Sequence, residues 1–160
     1  MTRAERHFGI GFYFFYNMEH CSEVWFDKNP ILLLEDNPSD VNLFQEALSE
    51  LNIKKELIVA RNGEEGLDYL NSGKELPGII LADINMPKIS GIEFLKIVKQ
   101  HEVYRSIPVV ILTSSVSKSD RKAAFHWYAA GYMKKPNDFD EFTDLVAVLM
   151  NYWTCSEWYY

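Results

Sequence analysis

Two apolar runs that each end in acid, ILLLED at 31–36 and GIILAD at 78–83, constrain what this chain can fold into more than any other feature. A strand wetted on one side alternates apolar and polar residues, whereas a short continuous apolar run fits a strand covered on both faces. A third run, PVVILT at 108–113, follows the same design. Helical spacing fills the gaps. Asn37-Pro38-Ser39-Asp40 predicts a helix start, with Asn37 as N-cap, Pro38 in the first turn and Asp40 completing a capping box. Val41, Phe44, Leu48 and Leu51 then form one apolar stripe. KKELIVA at 54–60 is a second strand, and Glu64 to Leu70 is a weaker helix closed by Asn71-Ser72-Gly73. Gly66 inside that helix costs roughly 1 kcal/mol relative to alanine.

After the 78–83 run, Pro87 and Gly91 shape a loop, and Phe94, Leu95 and Val98 mark a third helix. Ser117-x-x-Asp120 predicts a capping box for a fourth, carrying Ala123, Ala124, Trp127 and Tyr128 and ending at Gly131. Tyr132 and Met133 make a short fifth strand. Beyond Pro136, residues Phe142, Leu145, Val146, Leu149, Met150 and Trp153 mark the fifth helix. Five strands alternating with five helices imply an α/β fold, a doubly wound parallel sheet with helices on both faces and right-handed crossovers.

A chain of 160 residues fits one globular domain plus a tail. Such a domain buries roughly 68% of its unfolded surface, enough for a core without metal or disulfide staples. Its formal charge of −7 opposes phosphate-backbone binding, so no nucleic-acid partner is expected. Cys21 and Cys155 are too few for a disulfide framework and form no C-x-x-C, which points to a reducing, cytoplasmic setting and two free thiols. The fold brings the start of strand 1 and the end of the last helix to one edge, so the two cysteines are expected on the side opposite the acids.

Ligands of open α/β sheets bind at the carboxyl ends of the strands. Glu35, Asp36 and Asp83 end two strands there, and Thr113 ends another. Clustered carboxylates repel unless a cation sits between them, and an all-oxygen set suits Mg²⁺. Lys135 brings positive charge to the same mouth. Acids, a metal, a lysine and a hydroxyl together make a site for a phosphoryl group, with a carboxylate as in-line nucleophile. Taken singly, each residue reads as a cap or a surface acid. No Gly-Lys-Ser/Thr phosphate loop, G-x-G-x-x-G or G-x-S-x-G is present, and His7, His20, His101 and His126 lack metal-ligand spacing. A flavin carrier is the physical competitor on fold, but acids after strand 1 would repel a flavin phosphate.

LLLEDNPSD, LADINMPKISG, VVILTSS and GYMKKP, in that order, resemble the landmarks of the response-regulator receiver domain. The separations agree: Asp83 to Thr113 is 30 residues and Asp83 to Lys135 is 52. The resemblance covers residues 29–155, between an extension at 1–28 and a tail at 156–160, and is closest to small stand-alone receivers paired with bacterial phytochrome-type kinases. It implies a flavodoxin-like strand order of 2-1-3-4-5 and a non-enzymatic, phosphorylation-switched signalling protein. Asp83 would accept a phosphoryl group from a sensor histidine kinase or phosphorelay protein. Glu35, Asp36, Asp83 and the carbonyl of Asn85 would hold Mg²⁺. Thr113 and Lys135 would contact the phosphoryl oxygens, Tyr132 would be the aromatic switch, and small Ser114 would leave access. Asn85 and Ser115 would tune phosphate lifetime. The seven residues TCSEWYY after the last helix are too few for an output domain, so output is expected through protein contacts. A homodimer through helix 4, strand 5 and helix 5 is one form, with Trp153, Trp158, Tyr159 and Tyr160 as candidate surface; a core role for Trp153 is the equal reading. The alternative is a receiver-fold interaction module that acts without phosphorylation.

The run FGIGFYFFY, Phe8 to Tyr16, is far shorter than the ~20 residues a spanning helix needs, so no membrane segment is expected. Glu5 in front and the lack of a small-x-small site argue against a cleaved signal. An extension of no fixed role, a stretch read from a misplaced start, and a docking segment covering an apolar patch stay open.

Overall fold

The computed structural model describes residues 28–154. Its elements run β1 (Ile31–Leu34), α1 (Pro38–Glu50), β2 (Leu57–Ala60), α2 (Gly63–Asn71), β3 (Ile79–Ala82), α3 (Gly91–Gln100), a 3₁₀ turn (Tyr104–Ser106), β4 (Val109–Thr113), α4 (Lys118–His126), β5 (Gly131–Lys134) and α5 (Phe139–Thr154). The strands form one parallel sheet in the order β2-β1-β3-β4-β5, as expected. Because side chains alternate across a strand, each buried run feeds two cores. Ile31, Leu33, Ile79, Leu81, Val110 and Leu112 pack with Phe44 of α1 and Val146 and Trp153 of α5. Leu32, Leu34, Ile80, Ala82, Val109 and Ile111 pack on the other face with Leu70, Phe94 and Ala124. Each fully buried Leu or Ile contributes on the order of 1.5–3 kcal/mol. Trp153 is 4% exposed, so it belongs to the core and not to a dimer surface. Cys21, Cys155, Trp158, Tyr159, Tyr160 and the 8–16 run lie outside the described residues.

Several helix ends differ from the expected ones. Asn37 caps α1 through Ser39 N, but its own N–H donates to Glu35 Oε1 at 3.1 Å, which leaves the Asp40 half of the capping box unmade. A complete box appears instead at Ser90 and Glu93, opening α3. α2 starts at Gly63, not Glu64, with Asn62 as its N-cap, the side chain accepting from Glu65 N. Gly66 is a packing requirement: a Cβ there would lie 2.9 Å from Phe94 and 3.1 Å from Leu34. Ser117 accepts from Asp120 N, yet the Asp120 carboxylate turns to Ser115. α4 ends at His126 because Tyr128 takes a left-handed φ of 59°, and Gly131 opens β5 opposite Val110.

Candidate functional site

The register places the acids. Leu34 pairs with Ala82, so the next residues, Glu35 and Asp83, leave β1 and β3 side by side. The ladder runs on past both strand ends, through Glu35 N to Ala60 O at 2.9 Å and Asp83 N to Leu34 O at 3.0 Å. Glu35 is buried, Asp83 half-buried and Asp36 exposed. One carboxylate oxygen from each lies within 4.8 Å of the others. The cluster opens to solvent on the Asp36 side.

Lys135 closes the other side. Its N–H donates to Thr113 O at 2.9 Å, extending β5 by one residue. Its ammonium donates to Glu35 and to Asp40 Oδ2, the latter at 2.7 Å, and stands 3.6 Å from Asp83 Oδ2. Burial works against the Lys135 charge, but Asp40 and Glu35, with Asp83 behind them, outweigh it and hold the ammonium above its usual range. Burial also pushes the Glu35 carboxyl up, only partly offset by Lys135 and the Asn37 amide. Three carboxylates therefore face one ammonium, and Asp36 adds a fourth to the cluster. That excess of negative charge, presented by oxygen donors with an open side, fits a hard divalent cation that keeps some of its water.

Asp83 is held from behind. Ile84 N donates to Oδ1 at 2.7 Å, which leaves Oδ2 toward Lys135. Gly91, the first residue of α3, sits against this backbone: a Cβ there would be 2.0 Å from the Asp83 carbonyl oxygen. The reason for glycine here is close approach, beyond the loop shaping expected of it.

Thr113 is fully buried, its Oγ1 accepting from Ser115 N at 3.2 Å. Ser115 Oγ donates to Asp120 Oδ2 at 2.8 Å, and the Tyr132 hydroxyl donates to Ser115 O at 3.3 Å. Arg121 lies 5.5 Å over the Tyr132 ring. Thr113, Ser115 and Tyr132 thus form one connected unit beside the acids. Ser114 and Asn85 are exposed at the mouth. Asp40 is the member that motif reading missed, although its place in the first turn of α1 already put it at the carboxyl edge of the sheet.

The family model for the response regulator receiver domain matches residues 31–147. The chain belongs to the receiver family. Receivers act in phosphorylation-dependent two-component signalling, interact with histidine kinases or phosphorelay proteins, bind a divalent metal, and are generally signalling proteins rather than enzymes. The chain is 35% identical over 127 residues to the probable methanogenesis regulatory protein FilR2 of Methanothrix harundinacea, covering 77% of this receiver and 82% of that protein. It is 33% identical over 135 residues to response regulator Rcp1 of Synechocystis, covering 79% and 92%. The Mn(2+)-bound form of Rcp1 superposes with a TM-score of 0.73 at 32% identity, covering 79% and 94%. The phosphorylated cyanobacterial phytochrome response regulator RcpA gives 0.74 at 30% identity, covering 78% and 93%. No helix among the described residues is long and apolar enough to cross a membrane.

Proposed function

We propose that Asp83 accepts a phosphoryl group from the phosphohistidine of a sensor kinase and that the acyl phosphate switches protein contacts. The observation that carries this reading is the convergence of Glu35, Asp36 and Asp83 within 4.8 Å, with Lys135 3.6 Å from Asp83 Oδ2. Oδ2 attacks phosphorus as the P–N bond breaks, and the electron pair leaves on the imidazole nitrogen. Oδ1, tied to the Ile84 amide, keeps the carboxylate oriented during attack. Glu35, Asp36, Asp83 and the Asn85 carbonyl would hold Mg²⁺, which neutralises phosphoryl oxygens when bound. Lys135 would exchange a carboxylate partner for a phosphoryl oxygen, and the Thr113 hydroxyl would donate to another. Drawing Thr113 toward the phosphate pulls on Ser115, and through its carbonyl on Tyr132, altering the face made by α4, β5 and α5. That face is the output surface, where a partner or a second copy assembles. Asn85 and Ser115, at the mouth, set how readily water reaches the acyl phosphate. The cytoplasm is the compartment this reading requires.

The test is incubation with phosphoramidate and Mg²⁺, read by intact mass. The parent should gain one phosphoryl mass and Asp83→Asn none. An equal gain by the variant would overturn the reading.

A further inference from the structure

We propose that Asp40 is a positioning residue that competes with the phosphoryl group for Lys135, and so sets how readily the site fills. The role rests on the reading of Asp83 as acceptor. An ammonium has three N–H donors. Glu35 takes one and Asp40 Oδ2 takes another at 2.7 Å, while Asp83 Oδ2 stands at 3.6 Å, outside hydrogen-bond reach. Asp40 is itself held, because its Oδ1 accepts from the Asn37 side chain at 3.2 Å. The cap of α1 and Lys135 thus grip the two oxygens of one carboxylate. Lys135 is engaged before any phosphoryl group arrives.

A phosphoryl group on Asp83 Oδ2 brings three acceptor oxygens and about −1.5 to −2 of charge to the side of Lys135 that faces Asp83. One of the present partners has to yield. Glu35 is 2% exposed and would be left as an unpaired buried charge, a costly state in a low-dielectric interior. Asp40 is 32% exposed and can turn to water. Like charge drives it the same way, since Asp40 and a phosphoryl group on one ammonium repel each other. Asp40 is the partner that lets go. It also differs from Glu35 and Asp36 in lying outside the three carboxylates grouped closely enough to hold a cation. The Asp40–Lys135 pair therefore stabilises the empty site and not the filled one, and its strength is subtracted from phosphoryl affinity.

Beryllofluoride, which stands in for a phosphoryl group on a carboxylate, gives the equilibrium without turnover. The full-length chain is titrated with it at saturating Mg²⁺, and the bound form is read by ¹⁹F NMR. Asp40→Asn keeps the side chain's size and removes its charge. It should bind beryllofluoride about fivefold more tightly than the parent, the gain from releasing one partly exposed ion pair. Asp40→Ala should do the same and serves if Asp40→Asn alters the circular dichroism. The ratio should persist at about 0.5 M NaCl, which screens an exposed charge acting only through space. Mg²⁺ affinity without beryllofluoride, at the same salt, should stay within about twofold of the parent's. Beryllofluoride affinity equal to or below the parent's in both variants, a ratio that salt abolishes, or a several-fold loss of Mg²⁺ affinity would each overturn the role. A parent that binds no beryllofluoride, or an Asp83→Asn variant that binds it as the parent does, would overturn the acceptor reading and this role with it.

Discussion

At Lys135 a single ammonium meets Glu35, 100 residues away, and Asp40, 95 residues away, while Asp83 waits at 3.6 Å. A local rule reads Asp40 as part of a capping box, and the box fails because Glu35 takes the cap's amide and Lys135 takes the Asp40 carboxylate. Gly91 is a second residue whose purpose lies elsewhere in the chain. Gly91→Ala should destabilise the fold by roughly 2 kcal/mol through overpacking against the Asp83 carbonyl and slow phosphorylation by displacing that backbone. Urea unfolding and the rate of mass gain with phosphoramidate would show both. Normal stability would mean that α3 shifts freely from the site. Thr113→Ala should still accept a phosphoryl group but lose the change in assembly or partner affinity that phosphorylation brings. Light scattering of phosphorylated and unphosphorylated samples tests this, and a parent-like response would break the proposed link through Ser115 to Tyr132. Among the site residues, the strand-end acids were the most legible in sequence. A carboxylate directly after a fully buried run has only one place to go.

The elements were legible to the degree that their burial is continuous. β1, β3 and β4 announce themselves because both faces are covered, whereas β2 keeps only Leu57–Ala60 of a seven-residue expectation, its residues being largely half-buried on an edge. The end of α4 was not legible, since no pattern signals that Tyr128 will adopt a left-handed φ. Gly66 looked like a weakness of α2 because helix propensity does not register the Phe94 ring against it. At the end of α3, Lys99 donates to the carbonyls of Arg105 and Ile107 at 3.0 and 2.7 Å, fastening the 3₁₀ turn that leads into β4. Burial lowers the Lys99 ammonium to about 8. The folded chain thus binds this proton less tightly than the unfolded chain, whose lysine titrates near 10.5. Between about pH 8 and 10.5 the unfolded state carries more protons, so the Lys99 contribution rises with pH across that window. Stability of the parent relative to Lys99→Met should therefore climb over this range. Urea midpoints taken in parallel would reveal it, and a flat difference would mean that Lys99 keeps an ordinary proton affinity.

For the whole molecule, the acidic mouth stores repulsion that a bound cation relieves. Mg²⁺ should bind the folded chain and not the unfolded one, adding about 2.7 kcal/mol at a concentration 100-fold above its Kd. The melting temperature should rise with Mg²⁺ in the parent and stay flat in Asp36→Ala, which should also fail to take up phosphate while remaining folded. An equal rise in both would place the metal elsewhere. The sheet order, the two cores and the position of the mouth together bring four separated motifs to one carboxylate, Asp83, the proposed acceptor. Borohydride reduction of the phosphorylated protein converts an aspartyl phosphate to homoserine, so peptide mapping after reduction reads the acceptor directly. Homoserine should appear at position 83 and at no other aspartate; homoserine at Asp36 or Asp40 with position 83 unchanged would overturn Asp83 as the acceptor.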